Sequence, residues 1–156
     1  MTRPAIGSPA PDFDLPADDG SRVRLADLRG KPVVLYFYPR DETPGCTTEA
    51  CDFRDARSAW QEAGAEVLGV SADSIAAHVK FRAHHSLPFR LLSDPDHTVM
   101  GAYGAWGEKV LYGKHSVGVI RSTFLIDKDG RIAALWPKVK VAGHVEAVLK
   151  ALQGLK

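Results

Sequence analysis

The chain of 156 residues has only two cysteines, Cys46 and Cys51, too few for a disulfide scaffold. It has no long apolar run. The longest, Val33 to Tyr38, spans six residues, against about 20 for a membrane-crossing helix, so no membrane role is expected. It also lacks an excess of either charge sign: 20 Lys and Arg face 19 Asp and Glu, a formal net charge of +1. That balance gives no electrostatic ground for binding nucleic acid or an anionic surface. Met1 to Gly7 carry no apolar signal core, so the expected compartment is the cytoplasm, where thiols are usually kept reduced. Gly (14) and Pro (10) are near ordinary shares, which excludes collagen and gives no sign of disorder. With no repeat, low-complexity tract or linker, residues 1–156 read as one domain. A chain of this length buries roughly 68–70% of its unfolded surface, enough for a core without disulfides or metals.

What is present is an alternation of strand and helix signals. Pro4, Pro9, Pro11 and Pro16 predict an extended surface opening, because each removes a donor and disfavours helix before it. Val23 and Leu25 alternate with Arg22 and Arg24, a short half-buried strand, and Asp27 to Gly30 reads as a brief helical turn. Val33 to Tyr38 is apolar without alternation, which predicts a central strand covered on both faces. Phe53, Ala56, Trp60 and Ala63 recur at helical spacing from Cys46 to Gly64. Glu66 to Ser71 is another buried strand, and Asp73 or Ser74 can cap a helix carrying Ile75, Val79 and Phe81. Arg90 to Ser93 is a short strand, residues 103–118 are dotted with glycine and show no clear period, and Val119 to Ile126 is a strong strand. Asp127-Lys128-Asp129-Gly130 makes a hairpin turn to Ile132–Trp136, and Val141, Val145, Val148, Leu149 and Leu152 mark a final helix. The fold class expected is α/β, a mixed central β-sheet flanked by helices.

The segment from Tyr38 to Cys51 holds the most chemistry. It leaves a buried strand, turns at Pro39, Pro44 and Gly45, and delivers Cys46 to the first turn of a helix. Backbone N–H groups there lack intrahelical partners and carry the positive end of the macrodipole. A thiolate so placed is stabilised, and its pKa is expected below the free value of ~8.5. Thr43 is either an N-cap or a hydroxyl that holds a substrate oxygen. The C-x4-C spacing is not the C-x-x-C of dithiol oxidoreductases, and it lacks the further ligands of a zinc pattern. If both cysteines share one helix, their Cα atoms lie roughly 8–9 Å apart. A disulfide needs less than ~7 Å, so pairing would require at least one turn to unwind. The plainer alternative is two unrelated thiols, with Cys51 packed beside Phe53.

Thr43-Pro44-Gly45-Cys46 after Pro39, with Cys51 five residues on, resembles the peroxiredoxin signature P-x-x-x-T-x-x-C. The C-x4-C form is similar to the bacterioferritin comigratory protein, or PrxQ, subfamily. Gly7 to Phe13, Ser71 to Ser74, Leu92 to Asp94 and Arg121 to Asp127 extend the resemblance over most of the chain. It implies a thioredoxin-like fold and a thiol-dependent peroxidase that reduces hydrogen peroxide and organic hydroperoxides. By position, Cys46 resembles the peroxidatic cysteine and Cys51 the resolving one, joined in an intramolecular disulfide. Pro39 would shield the site, Thr43 hold the peroxide oxygen and Arg121 complete it. Alternation alone puts Arg121 on the strand face of Thr123 and leaves it an ordinary solvated arginine. Thioredoxin or a similar dithiol would be the reductant, with no metal or organic cofactor, and the subfamily leans to a monomer. Two other readings stand beside it: a thioredoxin-like protein dithiol–disulfide oxidoreductase, and a non-enzymatic redox sensor.

Other residues carry weaker signals. His78 and His85, seven apart, could share a helix face, but no carboxylate pattern completes a metal site with them. Glu49 reads as a solvated helix acid or a partner of local backbone or of an arginine such as Arg54. Trp60 and Trp136 read as packing residues, while Trp106 could cover a pocket. Asp127 to Gly130 lacks the remaining ligands of a calcium loop.

Overall fold

The computed structural model describes residues 3–111 and 113–155, so Met1, Thr2, Tyr112 and Lys156 lie outside the described residues. Strand β1 (Asp14–Pro16) pairs antiparallel with β2 (Arg22–Arg24), and a 3₁₀ turn follows at Leu25–Leu28. The Pro-rich opening is thus not wholly a surface segment. Asp14–Pro16 is a paired strand, and Phe13 and Leu15 are buried.

The central sheet holds β3 (Val33–Phe37), β4 (Glu66–Ser71), β5 (Arg90–Ser93), β8 (Ser122–Ile126) and β9 (Ile132–Trp136), in the order β5-β4-β3-β8-β9. β3, β4 and β5 run parallel, while β3–β8 and β8–β9 are antiparallel, giving the mixed sheet expected from the sequence. β3 is apolar throughout because both faces are covered. Val33, Leu35 and Phe37 join Phe124, Met100 and Tyr103 on one face. Val34, Tyr36 and Tyr38 meet the helices on the other, among them α1 (Pro44–Asp55), α2 (Arg57–Glu62), α3 (Ile75–His85) and α5 (His144–Gln153). The short α4 (Thr98–Ala102) carries Val99 and Met100 into the first face. Among the described residues, no helix is long and apolar enough to cross a membrane.

Several elements depart from the periodicity. The helix expected from Cys46 to Gly64 breaks at Ala56, whose N–H is shared between the Asp52 and Phe53 carbonyls. The bend brings Trp60 back so that its indole N–H donates to the Phe53 carbonyl at 2.9 Å. Residues 103–118 contain a hairpin, β6 (Trp106–Leu111) with β7 (Lys114–Val119), outside the central sheet. The strand expected from Val119 to Ile126 is therefore two: β7 ends at Val119 and β8 starts at Ser122. Between them the backbone leaves both sheets. Ile120 N–H bonds the Ala105 carbonyl, and the Arg121 carbonyl accepts from Val139 N–H. Trp106 stacks on His97 with ring centroids 3.6 Å apart. In α3, Val79 faces solvent at 46% exposure, and the buried positions are His78 and Phe81. Ser74, not Asp73, caps that helix by accepting from Ala77 N–H at 3.2 Å. Val141 precedes α5, its carbonyl accepting from His144 N–H at 3.1 Å.

Candidate active site

β3 ends at Phe37, and the chain turns through Pro39 and Asp41 before α1 begins at Pro44. Proline suits this first helical position, since its missing N–H would have had no intrahelical partner. The first helical bond runs from Thr47 N–H to the Thr43 carbonyl at 2.8 Å. Gly45 and Cys46 therefore lie in the turn whose amides are free of intrahelical acceptors, at the positive helix end. Thr43 occupies the N-cap position, but its hydroxyl makes no capping bond; it donates to the Arg40 carbonyl at 2.8 Å.

Cys46 is buried, only 1% exposed, and packs with Tyr36, Tyr38 and Phe53. Its surroundings are not purely apolar. Arg121 Nη2 donates to Cys46 Sγ at 3.2 Å, and Nη1 donates to Glu49 Oε1 at 2.6 Å. Thr123, two residues on, pairs with Tyr36, and its hydroxyl bonds His144 Nε2 at 2.8 Å on the α1 and α5 side. The parity that grouped Arg121 with Thr123 holds, but that face is covered by helices, so Arg121 is not a solvated strand residue. Gly45 makes the approach possible: a Cβ there would stand 3.2 Å from Arg121 Nη2.

Glu49 differs most from expectation. It is fully buried and paired with Arg121, while Arg54 bonds Asp55 and the His85 carbonyl instead. Its second oxygen, Oε2, has no partner among the described residues. Burial pushes its carboxyl up to about 7, against the pull of the Arg121 guanidinium. Burial, and then the positive charge of Arg121, push His144 down to about 4.

A buried network fixes the loop before Cys46. Tyr38 OH donates to Asp41 Oδ1 at 2.6 Å, and Asp41 N–H donates to Asp73 Oδ2 at 2.8 Å. His78 Nδ1 lies 2.7 Å from Asp41 Oδ2, and its Nε2 lies 2.9 Å from the Leu92 carbonyl. Burial alone would lower the His78 pKa, but Asp41 and the carbonyl raise it above its ordinary value. Asp41, Glu49, His78 and His144 were missed as site residues because an isolated buried polar group has no period. The one usable signal was His78 at a helix position that the Phe81 stripe turns inward.

Cys51 lies half-buried one turn further along the unbroken α1, and both thiols are free. Helix geometry holds the two Cα atoms roughly 8–9 Å apart, beyond disulfide reach. Pro39 is half-buried at the exit of β3. The fold thus brings together Cys46, Arg121 and Thr43's turn, and keeps Cys51 apart.

A cysteine sulfur facing a guanidinium at a helix mouth, over a mixed sheet, is an arrangement that suits a thiol peroxidase of thioredoxin-like architecture, the class to which the relatives of this chain belong. The chain belongs to the AhpC/TSA family, whose model matches residues 6–135. It is 54% identical over 147 residues to a putative peroxiredoxin Bcp of Coxiella burnetii, covering 94% of this chain and 97% of that one. It is 51% identical over 150 residues to peroxiredoxin Bcp of Bacillus subtilis, covering 96% of each. A cysteine-to-serine mutant of Xylella fastidiosa PrxQ superposes with a TM-score of 0.91 at 36% identity, over 98% of both chains. Xanthomonas campestris bacterioferritin comigratory protein, studied in trapped intermediate and ligand complexes for its alkyl peroxide reduction activity, gives 0.86 at 43% identity over 90% of each. The reaction class requires a peroxide substrate and a thiol reductant.

Proposed function

We propose that Cys46 is the peroxidatic nucleophile and Cys51 the resolving thiol. Hydrogen peroxide and organic hydroperoxides are the substrates, and thioredoxin or a similar dithiol is the reductant. The observation that carries this reading is the 3.2 Å contact between Arg121 Nη2 and Cys46 Sγ at the start of α1. A permanent cation and free first-turn amides offer donors to the negative charge that develops on oxygen as the sulfur attacks. Thr43 commits its proton to the Arg40 carbonyl, so its lone pairs can accept from a peroxide O–H. Pro39 shields the site at the strand exit.

The chemistry balances as follows. The Cys46 thiolate attacks one peroxide oxygen, the O–O bond breaks, and the leaving oxygen departs as water or alcohol after taking a proton. Cys46 becomes a sulfenic acid. The first turns of α1 open, the Cys51 thiolate attacks Cys46 Sγ, and the sulfenic oxygen leaves as water. An external dithiol then exchanges with the Cys46–Cys51 disulfide and is itself oxidised. Residues 1–156 act as one domain, a monomer in the cytoplasm; the packing of α5 on α1 and β8 supports the single domain.

Turnover assays with a thioredoxin system test the assignment. Cys46→Ser should abolish peroxide consumption, and Cys51→Ser should react once and then recycle poorly. Retained turnover in Cys46→Ser would remove Cys46 from the mechanism.

A further inference from the structure

On the outer flank of the loop entering α1, three side chains converge that the peroxide site does not use. Glu42 sits in the left-handed region at φ 65°, two residues before Pro44. His84 and His85 end α3. Glu42 Oε2 lies 2.8 Å from His84 Nδ1, and Oε1 lies 2.9 Å from His85 Nε2. Adjacent helix positions point about 100° apart, yet both imidazoles turn to one carboxylate, their ring centroids 4.3 Å apart.

We propose that Glu42, His84 and His85 form a binding site for a divalent transition-metal ion that prefers imidazole, such as zinc, nickel or copper(II). Two imidazole nitrogens, one carboxylate oxygen and positions left for water are a donor set these ions take. The ligand atoms already lie within 4.8 Å of one another. A tetrahedral ion at ~2.0–2.1 Å from its ligands sets them about 3.4 Å apart. The present separations are hydrogen-bond distances, so the carboxylate would withdraw by about half an ångström as the ion enters. Each imidazole binds through a nitrogen lone pair, so a proton now pointing at the carboxylate moves to the other ring nitrogen or to solvent. The site is open to water: side-chain exposure is 66% for His84, 45% for Glu42 and 19% for His85. The C-terminal end of α3 carries the negative end of the helix dipole and favours a cation, although Ser86 and Leu87 N–H already bond the Ala83 and Arg82 carbonyls and Arg54 Nη1 donates to the His85 carbonyl at 2.8 Å. A bound ion would tie the loop entering α1 to the end of α3. Among the described residues the other cluster of this kind, Asp41 with Asp73 and His78, is a poorer candidate, because His78 is fully buried with both nitrogens bonded.

The proposal does not rest on the peroxidase reading, and its test removes the thiols as competing ligands. The full chain carrying Cys46→Ser and Cys51→Ser is titrated with zinc by calorimetry at pH 7.5. One ion per chain is expected. Glu42→Gln and His84→Ala, each added to that background and checked for an unchanged circular dichroism spectrum, should each weaken binding about tenfold or more. His115→Ala, on the β6–β7 hairpin and outside the cluster, should leave it unchanged. The absence of saturable binding, or an affinity that Glu42→Gln and His84→Ala leave intact, would overturn the site.

Discussion

Arg121 divides one guanidinium between Glu49 at 2.6 Å and Cys46 at 3.2 Å. Lysine offers a point charge in place of that planar fork. Arg121→Ala should slow the peroxide step by about 10²–10³, the usual loss when one donor to a developing oxyanion is removed, and Arg121→Lys should restore little. The single variant also strands a buried carboxylate, which costs roughly 3–5 kcal/mol when a buried pair is broken. Arg121→Ala with Glu49→Gln keeps the fold testable, and equal peroxide rates for it and a Glu49→Gln control would return Arg121 to a structural role. Gly45→Ala sets a methyl 3.2 Å from Arg121 Nη2 and should slow the same step several-fold, read as the second-order rate with peroxide. At this scale the two cysteines were legible from a loop that must deliver one of them to a helix mouth. Arg121 was half legible: alternation gives the face of a residue but not what lies across from it. Glu49 was not, because its burial depends on a guanidinium supplied 72 positions away in sequence.

Resolution by Cys51 requires α1 to open, and the packing offers a reporter. The Trp60 indole on α2 donates to the Phe53 carbonyl on α1 at 2.9 Å, so unwinding near Phe53 breaks a bond to a fluorophore. Peroxide should change tryptophan emission in the parent and raise amide exchange across residues 44–55. Trp60→Phe should lose the emission change, and Cys51→Ser should keep the helix protected. Protection unchanged by oxidation in the parent would count against the opening step. Strand β3 was readable because a run without alternation requires cover on both faces. The breaks at Ala56 and at residues 120–121 were not, since each arises where the chain passes between packing partners and the apolar pattern continues across it. The β6–β7 hairpin was hidden because it reaches the core at its base, through Trp106 and Val119, while Val110 and Val117 further along are exposed and break the apolar pattern.

Across the whole molecule, two buried groups titrate in opposite senses. Glu49 is raised from an ordinary 4.5 to about 7, so the folded chain holds a proton that the unfolded chain has lost between those values. Stability from this group is therefore lost as pH rises from about 4.5 to about 7. His144 is lowered from 6.5 to about 4, so its contribution is lost as pH falls through that window. Chemical denaturation should find Glu49→Gln gaining on the parent by roughly 3 kcal/mol between pH 5 and pH 8. A difference that does not move with pH would show Glu49 ionised throughout. Composition and patterning made the mixed α/β fold readable at this scale, but not these opposed titrations, which depend on burial. The most direct measurement is mass mapping of both sulfurs after the reduced chain meets one equivalent of peroxide. One added oxygen is expected on Cys46 in Cys51→Ser, and an intrachain Cys46–Cys51 link in the parent. First oxidation at Cys51, or links only between chains, would contradict it.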